Sequence, residues 1–374
     1  MNPNKIRSIR APIIASCMLL MMSASLALMS SPEKVASARS AKRVVISLPR
    51  IREGHVSAVS ATTSKPELAK KAPVQQAAQP APAVVAKPSL FAYKGLGAWL
   101  DQFDFRAPEN VEATAAVEEL ASRGVRTIFV QSGKWNGPDE ILYPAILDQI
   151  LERAHAHKMS VVGWYLPGFN DIGADVRRSM ATVNHVSPSG QRFDGFGPDI
   201  EERRAVGNDL GRFDAGIVEY SKQLRAAVGP SYALGAIVVD AKNNERAPST
   251  WAGFPWPEIG QNYDVIVPMA YWSVTKKQQA CATDAVDAAA YARDVISKTQ
   301  ALMGVQKPFN LIGGIADCSS IGEVQAFVDS AVASGAIGGG LYDYYATSTS
   351  PFKEAFWGAL GKLNALAPTI YVRP

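Results

Sequence analysis

Eight short, almost uninterrupted apolar runs recur roughly every 30–45 residues, and this rhythm restricts the chain to very few architectures. They are KGLGAWL (94–100), VRTIFVQ (125–131), SVVGWYL (160–166), FDGFGPDI (193–200), YALGAIVV (232–239), DVIVPMAY (264–271), FNLIGGI (309–315) and AIGGGLYDY (336–344). A strand that is apolar along its whole length is buried on both faces, as strands of parallel sheets are. Between most of the runs lie amphipathic stretches of helical period. Asn110 is placed to cap VEATAAVEELASRG, DEILYPAILDQILERAHAHK follows the second run, and DAGIVEYSKQLRAAVG and IGEVQAFVDSAVASG each end on glycine, a common helix stop. Eight strands with intervening helices in about 280 residues predict an α/β chain folded as a closed (β/α)8 TIM barrel over 91–374. The rival, an open doubly wound sheet, usually carries a GxGxxG loop after its first strand. The sequence has none.

The segment before the barrel is different in kind. Lys5, Arg7 and Arg10 precede an uncharged apolar run over 11–29, and Ala36-Ser37-Ala38 offers small residues for cleavage, so 1–38 is expected to be a signal peptide. Two alternatives stand beside it. About nineteen apolar residues suffice for an uncleaved membrane tether, and Ile14-Ala15-Ser16-Cys17 fits a lipoprotein box. All three place the barrel outside the cytoplasm: secreted, periplasmic or at the cell surface. Residues 39–90 are rich in Ala, Pro, Lys, Ser and Val without apolar periodicity, and are expected to be a disordered linker.

Charge divides at the same boundary. Residues 1–90 hold 13 Lys/Arg against 3 Asp/Glu, whereas 91–374 hold 25 against 31. The barrel is therefore mildly acidic, which argues against nucleic acid as its partner. Cys281 and Cys318 are the only cysteines beyond the leader. In an oxidising compartment two thiols favour a disulfide; the alternative is two unrelated, unpaired cysteines.

In a barrel of this kind function sits where strands end. The strand ends here bring Trp99, Asp101 and Asp104; Gln131; Trp164, Tyr165 and Asp171; Asp199 and Glu201; Asp240; Tyr271 and Trp272; Asp317; and Tyr342 and Asp343. Acidic and aromatic side chains on one rim suit a sugar, whose ring stacks on aromatic faces and whose hydroxyls bond carboxylates. The fourth run is the most informative. Strand alternation puts Gly197, Asp199 and Glu201 on one face, and two neighbouring carboxylates raise one another's pKa, so one stays protonated near neutral pH. A protonated Glu beside an ionised Asp is the equipment for protonating a leaving group in glycoside cleavage. The bland alternative is a structural carboxylate pair bonded to Arg203 or Arg204. Asp240 and Asp343 have one too, as caps of the following helix, and Trp164, Trp251 and Trp256 are either sugar platforms or packing.

The stretch DGFGPDIE (194–201) resembles the strand-four signature DGxDxDxE of the family 18, chitinase-type glycoside hydrolases, with Asp194, Gly195, Asp199 and Glu201 in register. Pro268-Met269-Ala270-Tyr271 is similar to that family's Met-x-Tyr motif on strand six. The likeness is nearer to bacterial glycoside-hydrolase-like barrels than to true chitinases. It implies that Glu201 is the general acid/base, that Asp199 orients the substrate's N-acetyl group and that Tyr271 holds the acetamide. Two positions depart from the pattern: Gly197 stands where the family has its middle Asp, and Trp272 where it commonly has Asp.

The expectation is an exported glycoside hydrolase cleaving a cell-wall or extracellular polysaccharide, with Glu201 and Asp199 catalytic and Asp101, Trp164, Tyr165, Asp240, Tyr271, Trp272, Tyr342 and Asp343 binding substrate. The alternatives are a chitinase-like barrel that binds carbohydrate without cleaving it and a lysozyme-type muramidase. No HExxH, paired CxxC or phosphate loop occurs, so neither a metal nor a cofactor is expected.

Overall fold

In the computed structural model, residues 87–368 are described apart from 108, 252 and 276–285. The leader, the linker over 39–86 and Cys281 lie outside the described residues, and with them the signal, the tether and the disulfide.

Eight parallel strands close into a barrel in sequence order, β8 pairing with β1. They are β1 (Gly95–Leu100), β2 (Thr127–Lys134), β3 (Ser160–Leu166), β4 (Gly195–Ile200), β5 (Gly235–Val239), β6 (Val265–Met269), β7 (Asn310–Ile315) and β8 (Gly338–Tyr342). Each lies within or close to its predicted run, and β3 coincides with it. β2 runs three residues further than 131, past a bulge against β3 between Gln131 and Gly133.

Helices cover the outside: α1 (Ala113–Ser122), α2 (Pro144–Ala156), α3 (Ile172–Asn184), α4 (Leu210–Val228), the short α5 (Lys242–Arg246), α6 (Pro248–Trp251) and α7 (Trp256–Asn262), then α8 (Ala288–Met303), α9 (Ile321–Ala333), α10 (Tyr344–Thr349) and α11 (Lys353–Leu360). Their starts follow capping chemistry. Asp171 accepts from the Ala174 amide at α3, Asp209 from Arg212 at α4, and Ser320 with Glu323 forms a reciprocal capping box at α9. Asn110 does not cap α1. It takes a left-handed turn conformation (φ 41°), and Glu112 accepts from the Thr114 and Ala115 amides instead.

The floor of the barrel is closed by Tyr93, which precedes β1. Its buried hydroxyl donates to the Phe196 carbonyl at 2.8 Å. A Cβ on Gly195 would come within 3.0 Å of its hydroxyl oxygen and one on Gly235 within 2.7 Å of its ring, so only glycine admits this plug. Phe129 lies over Tyr93 (centroids 6.1 Å apart) and Trp99 stacks on Phe129 at 4.3 Å and 8°. An aromatic column thus fills the interior from below, leaving the C-terminal strand ends as the approach to the barrel interior.

Candidate active site

The plug also tells which way β4 faces. Gly195 points at Tyr93, and a Cβ on Gly197 would meet the Gly235 carbonyl (3.0 Å) and Ile237 (3.2 Å) of β5. Alternation along the strand therefore turns Asp199 inward, at the upper end of the same face. Asp199 is 8% exposed, and its Oδ1 has no hydrogen-bond partner among the described residues. Burial, with the nearby Glu201 and Glu202 carboxylates, pushes its pKa well above the usual range.

Glu201 departs from expectation in one respect. β4 ends at Ile200, and the Glu201 amide donates to the Asp199 carbonyl at 3.2 Å, so the pair spans the strand end and the first turn residue and does not share a strand face. Glu201 remains partly exposed. Burial and then Glu202 push its pKa up to about 7, against the opposing charges of Arg204 and Arg203. The two groups together resist carrying two negative charges, so a proton is retained there near neutral pH. Arg204 bonds neither of them. Its amide and guanidinium clasp Glu202, at 2.6 and 2.7 Å.

A second acidic group forms half a turn round the barrel, where β8 meets β1. Asp101 accepts from the Phe103 amide (2.6 Å) and from the Tyr342 hydroxyl (2.5 Å). Asp104 accepts from the Asp101 amide at 2.8 Å, and Asp343 caps α10 through the Ala346 amide. All three pKa values are raised, by burial first; Asp343 reaches about 7 with Asp101 as the next cause. Tyr271 packs near Tyr342, centroids 5.9 Å apart, bringing the end of β6 to this group. Asp317 lies near enough to raise Asp343 further.

On β3, a Cβ on Gly163 would strike Thr182 of α3, so Gly163 faces outward and Trp164 inward. Trp164 is buried, with an indole N–H that has no partner among the described residues. Tyr165 consequently turns away from the mouth and donates to Asp175 of α3 at 2.6 Å. Trp272 is likewise not on the rim: it is 0% exposed, packs on Phe327 of α9 (5.0 Å), and lies where a Cβ on Gly314 would be. Asp240 faces the helical layer, where Tyr291 of α8 donates to it at 2.6 Å and Arg246 reaches it at 3.4 Å. Strand-end position drew these three into the expected set, and the direction each faces removes them.

Asp194 matches the motif but sits at the other end of β4. It accepts from the Val161 amide (2.8 Å) and meets His155 Nε2 at 2.9 Å, tying β3, β4 and α2 together. Cys318 is buried after β7. Among the described residues no cluster of His, Cys, Asp or Glu is arranged to hold a metal ion.

No protein-family model matches the chain, and no curated protein sequence matches it. Solved structures do. The fold is one that glycoside hydrolases use. The endo-1,4-β-mannanase from Rhizomucor miehei superposes with a TM-score of 0.54 at 9% identity, covering 75% of this chain and 98% of the mannanase. The family GH18 chitinase from Cycas revoluta gives 0.51 at 11%, covering 72% and 99%. The catalytic domain of chitinase B from Arthrobacter TAD20 gives 0.50 at 14%, covering 77% and 100%. At such identities the likeness is one of fold.

Proposed function

We propose that this barrel is a glycoside hydrolase acting on a cell-wall or extracellular polysaccharide, with Glu201 as proton donor. The observation that carries this reading is the Asp199–Glu201 pair: one inward, buried carboxylate with an unsatisfied oxygen, beside a reachable carboxyl that titrates near 7. The pair retains a proton near neutral pH, and Glu201, its reachable member, delivers one to the glycosidic oxygen. Asp199 then orients the substrate. Trp164, Tyr271 and Tyr342 supply aromatic surface, and Asp101 and Asp343 offer acceptors for hydroxyls. The glycosidase folds among the structural relatives support this class. The charge pattern of 1–38 supports export.

Incubating the full chain with a panel of purified polysaccharides and analysing products by mass spectrometry tests the reading. Oligosaccharides of defined size are expected from at least one of them. Saturable binding with no product from any glycan would replace it with a carbohydrate-binding barrel, a second reading favoured by Gly197, where the family's middle acid is absent.

A further inference from the structure

Arg203, two residues beyond Glu201, is a half-buried cation with no hydrogen bond or ion pair to any described residue, though the charges of Glu202 and Glu201 act on it. Its guanidinium carbon lies 4.7 Å from the centre of the Trp251 ring. Trp251, at the end of α6, is itself wedged edge-on against Phe213 (6.3 Å) and Phe254 (6.0 Å), so the platform beneath the arginine is fixed. Neighbouring arginines are occupied: Arg204 forks onto Glu202 and Arg246 reaches Asp240 and Tyr291. Arg203 forms no hydrogen bond or ion pair with any described residue. A guanidinium seated over a ring face is attracted to it through the face and keeps its edge N–H donors available. The guanidinium charge also acts on Glu201, the residue assigned as proton donor.

We propose that Arg203, seated on Trp251, is a specificity residue that binds a carboxylate carried by the glycan next to the scissile bond. This rests on the glycosidase reading and narrows its substrate class. The other charged groups named at the strand ends are largely acidic: Asp101, Asp104, Asp199, Glu201 and Asp343. Arg203 offsets the one negative charge of a carboxylate, whereas a dianionic phosphate would bring a second charge toward carboxyls that already resist ionising. The two parallel N–H donors of a guanidinium edge also match the two oxygens of a carboxylate. Lys134, the last residue of β2, is a second half-buried cation with no ion pair among the described residues. It extends positive charge to another part of the strand-end rim.

The carboxylate has two chemical sources, the lactyl ether of muramic acid and the C6 acid of a uronic sugar. The test uses full-length Glu201→Gln protein, so that bound glycans persist, and the same protein carrying Arg203→Gln or Arg203→Lys. Probes are peptide-free peptidoglycan glycan strands and oligogalacturonates, each beside its carboxyl-reduced form, with N-acetylchitohexaose as a neutral control. Binding is measured by calorimetry and folding by near-ultraviolet circular dichroism. The expected result is that one carboxylated probe binds about 10-fold or more tightly than its reduced form, that Arg203→Gln erases the difference, and that Arg203→Lys retains part of it. The preferred probe identifies the source. Equal binding of both forms, or a preference that survives Arg203→Gln in folded protein, overturns the inference and leaves the glycosidase reading intact. Binding of no glycan at all overturns both.

Discussion

The Tyr342 hydroxyl donates to Asp101 Oδ2 at 2.5 Å, fastening the end of β8 to the loop after β1 where the barrel closes. Asp101 is buried and its pKa is already raised, with this bond pulling it back down. Tyr342→Phe leaves one buried carboxylate oxygen with a donor fewer, which costs about 1–3 kcal/mol. Urea unfolding at pH 8 should show the loss, and the loss should shrink at pH 4, where Asp101 takes up a proton. Equal losses at both pH values would mean that the phenol contributes by packing.

Stability should fall as pH rises through the neutral range. Glu201 and Asp343 titrate near 7 in the fold, above the ordinary carboxylate range, and Asp199 and Asp104 are raised as well. The folded state therefore binds more protons than the unfolded chain. The stability these groups confer is complete below about pH 4 and is lost as pH climbs to about 7. The melting temperature should be lower at pH 8 than at pH 5.5 by at least about 3 °C. A higher value at pH 8 would refute the burial argument for these carboxylates.

Gly197→Asp restores the family's middle acid in sequence, yet it should not restore a carboxylate pair. The new Cβ meets the Gly235 carbonyl at 3.0 Å and Ile237 at 3.2 Å. Overpacking of this kind costs about 1–3 kcal/mol. Denaturant titration should show that loss, together with reduced activity. A fully stable and more active variant would show that the β4–β5 layer has room for a side chain.

Asp194→Ala separates the two ends of the motif. Asp194 bonds the Val161 amide and His155 far from the mouth, so its removal should lower stability by about 1–3 kcal/mol through unpaired buried groups. The pH dependence of turnover should keep its shape. A shifted pH profile in this variant would implicate Asp194 in the chemistry.

The barrel was legible because both-face burial writes itself into every strand as an unbroken apolar run, and β3 needed no adjustment at either end. The site was legible only in part. Strand position does not say which face a residue takes: Tyr165 and Trp272 lie beside inward neighbours, and what turns them outward is contact of Gly163 with Thr182 and of Trp272 with Phe327, both set by tertiary packing. The turn that removes Glu201 from the strand contains neither Gly nor Pro, so simple alternation ran one residue too far. Arg203 and Trp251 are 48 positions apart, and no local pattern links them. Asn110 was the statistically favoured cap, but the chain needed it for a left-handed turn.

The proton on Glu201 is the centre of the mechanism, and the pH dependence of kcat/KM for wild type and Glu201→Gln reads it directly on whichever glycan the panel selects. Wild-type activity should fall as pH rises through about 7, and Glu201→Gln should lose about 10²–10⁴-fold in turnover while still binding substrate, with the alkaline limb gone. Undiminished hydrolysis by Glu201→Gln, or an unchanged alkaline limb, would contradict the assignment of Glu201 as the acid.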